Sequence, residues 1–306
     1  MNIQPINYNY QQNNNTTFKG GLKSLNTINP ISHYADVYFN KAAKISQHHM
    51  EPMSEFLINK VKLIKLNKGK ETLLSAWDIN PDKSENYVLF LHGMAQNVSN
   101  YQSLYESILR RNTGIFAVEY RGYGINKTAA ISEDKLRDDV EQAYKYLTEK
   151  RNVKPENITV IGHSMGGALA TNFASKHKDI RSLILICPIT NMKDVGKKFA
   201  SNTTIGMGIP EKVNSLTEKL NPLKALYNLR FNSLSKIKEV ESPTYIIQSQ
   251  NDTVTLLGGA RKLAKKALRK GILQDFTLLP LGGHKVDQKK VTRITEILEE
   301  IYPNNN

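Results

Sequence analysis

The sequence holds a single cysteine, Cys187, and that scarcity removes whole classes of protein at once. No disulfide can form within the chain and no thiolate cluster can be built from it, so neither a stapled secreted scaffold nor a cysteine-based zinc module is expected. Cys187 follows the run Leu183-Ile184-Leu185-Ile186, where it reads as a small buried hydrophobe, with a catalytic thiol as the lesser alternative. Nothing approaches an uninterrupted apolar stretch of about 18 residues, and the most apolar segment, 182–189, has the length of a buried strand. Residues 1–15 carry neither a basic leader nor an apolar secretory core, so the expectation is a cytoplasmic protein.

Acidic residues are also in short supply, with 28 Asp and Glu against 42 Lys and Arg and a formal net charge of +14. Such a surface attracts anionic partners. Zinc-finger spacing, RNA-recognition signatures and aromatic-interleaved basic clusters are all missing, so no nucleic-acid partner is expected. His48 and His49 lie near His33 without a His-Glu-x-x-His spacing or a neighbouring cysteine, and no metal is expected. The lone tryptophan, Trp77, falls within a strand pattern and reads as core.

What is present suffices for one large domain: 306 residues, 40% of them hydrophobic. Residues 1–30 are rich in Asn, Gln and Thr, almost uncharged and without periodicity, and read as a disordered polar tail. Residues 31–60 form a separate N-terminal segment, where Tyr34, Val37, Tyr38 and Ala42 suit a helix docked on the domain. From 61 to 302, short β-rich runs alternate with longer amphipathic ones. Strands are expected at 61–66, 72–79, 87–91, 114–119, 158–161, 183–186, 244–248 and 274–278, the first two as an antiparallel pair. Helices are expected at 101–111, 133–150, 165–177, 257–270 and 288–301. This rhythm predicts an α/β fold with a mostly parallel, doubly wound sheet. The interval of about 191–239 is too long for a crossover and contains Gly206, Gly208, Pro210 and Pro222. It reads as a small cap, in which Met207, Ile209, Leu216, Leu220 and Leu223 either line an acyl site or pack its own helices.

The chemistry concentrates in Gly162-His163-Ser164-Met165-Gly166-Gly167, a Gly-x-Ser-x-Gly match set between an expected strand and an expected helix. A sharp strand-to-helix turn strains the serine, lifts its hydroxyl out of the sheet and needs small neighbours where helix and strand approach. A hydroxyl is a poor nucleophile at neutral pH, so Ser164 requires a base and the base requires an orienting acid, in the chain order Ser, acid, His. Asp252 follows the strand at 244–248, and Asp194 is the spare candidate. His284 lies in the loop after the last expected strand, and the only other histidine downstream of Ser164 is His177, at a helix end. For an oxyanion, Met165 supplies one backbone amide as the residue after the nucleophile. Met94, after Phe90-Leu91-His92-Gly93, supplies the second, with Ala95 as the neighbouring possibility, and His92 reads as structural.

The pieces Leu91-His92-Gly93, Tyr120-Arg121-Gly122-Tyr123-Gly124, Gly162 to Gly167, Asn251-Asp252-Thr253-Val254 and Gly282-Gly283-His284, in this order, resemble the alpha/beta-hydrolase superfamily. The likeness is to the serine aminopeptidase-like branch that includes lysophospholipases, monoacylglycerol lipases and acyl-protein thioesterases. One departure is polar Gln248-Ser249-Gln250, where that branch usually has a His-Gly pair. The resemblance implies hydrolysis of a carboxylic ester or thioester through an acyl-enzyme, without a cofactor, on a small-molecule or acyl-chain substrate. The rivals are a peptidase and a non-catalytic scaffold. Finally, the helix at 257–270 sets Leu263, Ala264, Ala267 and Leu268 against Arg261, Lys262, Lys265, Lys266 and Arg269, a pattern compatible with weak contact at an anionic membrane surface.

Overall fold

The computed structural model describes residues 43–47, 50–68, 71–79, 84–126, 131–191 and 231–303. The polar tail, residues 31–42 and most of the expected cap lie outside the described residues, as do Asp194 and the cap leucines. So do His33, His48 and His49, the histidines considered for a metal.

The β-rich runs become eight strands of one sheet: β1 Val61–Lys68, β2 Glu71–Ile79, β3 Tyr87–Leu91, β4 Gly114–Glu119, β5 Ile158–His163, β6 Ser182–Ile186, β7 Thr244–Ser249 and β8 Leu273–Leu279. Their order is β1-β2-β4-β3-β5-β6-β7-β8. β1 and β2 pair antiparallel, as do β2 and β4, and every later pairing is parallel. The helices are α1 Glu55–Ile58, α2 Gln102–Leu109, α3 Glu133–Lys145, α4 Met165–Ala174, α5 Ser233–Lys236, α6 Leu257–Lys270 and α7 Gln288–Ile301. Each strand and helix expected from 61 to 302, outside the cap, is matched within a few residues. α3 ends early because its last turn widens to a π-helical one at Tyr146–Lys150, and α2 is entered through a 3-10 turn at Val98–Tyr101.

Helices cover both faces of the sheet, which is why its central strands read as continuous apolar runs. Along β3, Tyr87, Leu89 and Leu91 join the cluster under α3, α4 and α6, while Val88 and Phe90 join the one under α2 and α7. The period of two delivers each strand to both cores, and each fully buried aliphatic or phenylalanine side chain stabilises the fold by about 1.5–3 kcal/mol. Trp77 belongs to the second cluster, packed edge-to-face on Tyr105. The N-terminal segment is tied down where it is described: the Gly124 amide donates to Ser46 Oγ, and Asn97 donates to the Ser46 carbonyl. Leu57 is buried. Among the described residues no helix is long and apolar enough to cross a membrane.

The chain leaves β3 for β4 on one side and then returns past β3 to β5. Open α/β sheets bind ligands beyond the carboxyl ends of strands at such a reversal. Here those ends are Leu91 and His163, one residue before Ser164.

Candidate active site

Ser164 sits at the junction of β5 and α4 with φ 54° and ψ −113°, a conformation that costs a non-glycine residue about 1–3 kcal/mol. Its surroundings hold it there. The Ser164 amide donates to the Ile186 carbonyl at 3.0 Å, and its own carbonyl accepts from Gly167 and Ile189. The hydroxyl, on a residue only 4% exposed, lies 2.9 Å from His284 Nε2. His284 Nδ1 lies in turn 2.9 Å from Asp252 Oδ2. Three residues spread over 120 positions of the chain thus meet in one hydrogen-bonded line, in the order expected from the sequence.

The carboxylate of Asp252 is buried and collects donors from its own turn. The amides of Val254 and Thr255 donate to Oδ1 at 2.7 and 2.9 Å, and the Thr255 hydroxyl donates to Oδ2 at 2.8 Å. Burial opposes ionisation, but the bonds from His284, Thr255 and Val254 outweigh it and hold the carboxyl well below the usual carboxylate range. Gln248, the departure from the usual His-Gly pair, is fully buried and has a use here: its amide donates to Asp252 Oδ2 at 3.3 Å and to the Thr255 carbonyl at 3.0 Å.

Met165 opens α4, so its amide is one of those a helix start leaves without an intrahelical acceptor. Across from it, Gly93 presses on the serine: a Cβ there would stand 3.2 Å from Ser164 Cβ and 2.7 Å from Gln96 Oε1. Close approach, rather than backbone freedom, is what this glycine provides. The left-handed residue in the turn is Ala95, with φ 61°, and Met94 lies between the two.

His92 is structural in the sense expected: buried, with Nδ1 donating to the Gly93 carbonyl at 2.8 Å and Nε2 3.2 Å from Glu119. Glu119 also accepts from the Val98 amide, which fastens the far end of the Met94 loop. His163, which the motif alone does not mark out, bridges two loops. Its Nε2 donates to the His284 carbonyl at 2.8 Å, and its Nδ1 lies 2.7 Å from the Tyr101 hydroxyl, which itself accepts from the Gly93 amide.

Cys187 is buried and burial pushes its thiol up to about 12, away from a nucleophilic thiolate. Its sulfur, the Asp252 carboxyl and a His284 nitrogen lie within 4.8 Å of one another, the one such trio among the described residues. A metal there would have to displace both the thiol proton and the His284–Asp252 bond.

A mostly parallel sheet with these parts at its reversal point is that of an alpha/beta-hydrolase. The sequence pattern that defines the serine aminopeptidase S33 family matches residues 82–236, just over half of the chain, and the chain belongs to that family. "Putative esterase/lipase 2" of Mycoplasma pneumoniae is 25% identical over 163 residues, covering 53% of this chain and 60% of that protein. Human alpha/beta hydrolase domain-containing protein 17B is 28% identical over 168 residues, covering 55% of this chain and 50% of that one. The chain thus spans less than two thirds of either relative. Among solved structures, an esterase of Pyrococcus furiosus superposes with a TM-score of 0.66 at 19% identity, covering 82% of this chain and 95% of that one, a likeness of fold. The names of these relatives are those of an esterase/lipase and an alpha/beta hydrolase domain-containing protein.

Proposed function

We propose that the protein is a serine hydrolase that cleaves a carboxylic ester or thioester of an acyl, lipid-like substrate through an acyl-enzyme. The observation that carries this reading is the line Ser164 Oγ, His284 Nε2, His284 Nδ1, Asp252 Oδ2, with both contacts at 2.9 Å and the serine on a strained turn.

In the first step His284 Nε2 takes the Ser164 proton as Oγ bonds to the substrate carbonyl carbon, and the carbonyl electron pair moves onto its oxygen. The Met94 and Met165 amides receive that oxyanion. Collapse restores the carbonyl and breaks the bond to the alcohol or thiol, which leaves with the proton held by His284. Water then repeats the sequence on the acyl-serine, releasing the acid and freeing Ser164. Asp252 stays ionised throughout and fixes the imidazole tautomer.

The family's name supplies the second reading, a peptidase acting on N-terminal residues. The esterase and lipase names of the relatives favour the ester. A cytoplasmic enzyme working at the membrane surface suits both the acyl substrate and the single free thiol.

A fluorophosphonate probe tests the nucleophile without knowledge of the substrate. The parent is expected to label and Ser164→Ala to stay blank, since loss of a triad serine costs about a millionfold in turnover. Equal labelling of both would remove Ser164 from the mechanism. A folded parent that never labels would favour a binding scaffold.

A further inference from the structure

The outer face of α6 carries charge of one sign. Its 14 residues include Arg261, Lys262, Lys265, Lys266, Arg269 and Lys270 and not one acid. Among the described residues none of these six reaches a carboxylate. On α7, a helix of the same length, Arg293 pairs by contrast with Asp275, Glu296 and Glu300. Leu263, Ala264 and Ala267 seat α6 on the sheet, which turns the cations outward over a stripe about 14 Å long.

Beside this stripe, apolar side chains stand in water. Leu256, immediately before α6, is 48% exposed, and Leu281, in the loop that carries His284, is 60% exposed. Leu268, which the sequence pattern set on the inner face, is instead 64% exposed at the edge of the cationic stripe. These three are half of the six large hydrophobics exposed among the described residues. The loops bearing Leu256 and Leu281 are fastened together, for the Gly283 amide donates to Asn251 Oδ1 at 2.9 Å.

We propose that the outer face of α6 and the adjoining tips at Leu256 and Leu281 form a docking surface for an anionic lipid bilayer. Cations over an apolar edge match acidic head groups above acyl chains. A solvated helix face gains nothing from exposed leucines, and neither does a groove for a polyanion. The tips belong to the loops that hold Asp252 and His284, so docking brings the rim of the candidate site to the interface. That this presents an acyl substrate to Ser164 rests on the hydrolase reading above.

The test is co-sedimentation of the full chain with phosphatidylcholine vesicles, with and without about a third phosphatidylserine, at low and high salt. The parent is expected to bind the anionic vesicles, to ignore the neutral ones and to weaken as salt rises. Neutralising Lys262, Lys265 and Arg269 together, each to Gln, is expected to weaken binding about a hundredfold, while hydrolysis of a soluble short-chain ester stays at the parent rate. Leu256→Ser with Leu281→Ser is expected to remove the binding that survives high salt. A parent indifferent to anionic vesicles, or a triple variant that binds like the parent, overturns the proposal. So does a single-stranded RNA that displaces the parent from vesicles by binding it more tightly. Vesicle binding lost in the triple variant, with no ester cleaved by either protein, would uphold the surface and sink the hydrolase reading.

Discussion

His163 donates from Nε2 to the backbone carbonyl of His284 across 2.8 Å, so one imidazole joins the residue before the elbow serine to the loop of its partner histidine. On its other side Nδ1 meets the Tyr101 hydroxyl, and Tyr101 accepts from Gly93 at the mouth of the Met94 loop. The His284 loop, the Ser164 turn and the Met94 loop are thereby braced against one ring. His163→Ala is expected to lower turnover about 10- to 100-fold with KM within about twofold, because misplacing a reacting group by about 1 Å costs that much. His163→Gln, whose amide can occupy the place of Nε2, is expected to recover part of the loss. Steady-state kinetics of the two variants decide it, and a parent-like turnover for His163→Ala would reduce the ring to packing.

The same ring makes stability depend on pH. Burial first, then the nearby charge of His284, lowers the His163 pKa from 6.5 to about 3. Between those values the unfolded chain takes up a proton that the folded one refuses, so stability present above pH 6.5 is lost as pH falls toward 3. The slope from this one group is at most about 1.4 kcal/mol per pH unit. Asp252, whose folded pKa lies below its usual 3.8, contributes a loss only as pH falls through 3.8, below the range in which His163 is tested. Urea unfolding at pH 4.5, 5.5 and 6.5 is expected to show a steeper decline for the parent than for His163→Gln. Parallel lines would mean that His163 is protonated without penalty.

Asp252→Asn tests the acid. In the parent both carboxylate oxygens accept, from two amides, the Thr255 hydroxyl, Gln248 and His284. An amide nitrogen facing His284 Nδ1 would favour the wrong tautomer, and turnover is expected to fall about 10⁴-fold with the fold intact by circular dichroism. A variant within tenfold of the parent would move the role to another acid, with Asp194 the next to substitute.

How far the sequence carries these conclusions depends on the kind of contact. β3 through β7 are readable because each centres on apolar residues, such as Leu183 to Ile186 and Tyr245 to Ile247, and the elbow is readable because glycine and serine must fall together between a strand and a helix. The brace is not readable. His163, Tyr101 and His284 are separated by 62 and 121 residues, and no local spacing announces a contact created by sheet order. Gln248 is in sequence only a departure from the usual His-Gly pair, and its use appears in the fold, where its amide donates to Asp252 and Thr255. Leu268 falls on the apolar arc of a helical projection, yet α6 packs mainly through its small residues and leaves that leucine outside.

The closest approach in the site region belongs to Gly166, and it sets the last prediction. A Cβ there would lie 2.0 Å from the Leu91 carbonyl oxygen, which is backbone and cannot swing aside. Gly166→Ala must therefore lift the start of α4 off the end of β3, at a cost of about 1–3 kcal/mol. The same displacement carries the Met165 amide away from Met94, so activity is expected to fall further than the loss of folded protein accounts for. Gly258→Ala is the matched control, for nothing lies within 4 Å of its would-be Cβ near the start of α6. There the unfolded chain loses freedom while the folded one pays no strain, so thermal unfolding is expected to be unchanged or to rise by an amount equivalent to about 0.4–1 kcal/mol. If both variants melted and turned over like the parent, α4 would not be pressed on β3 as described, and the two amides would not be held in register by that contact.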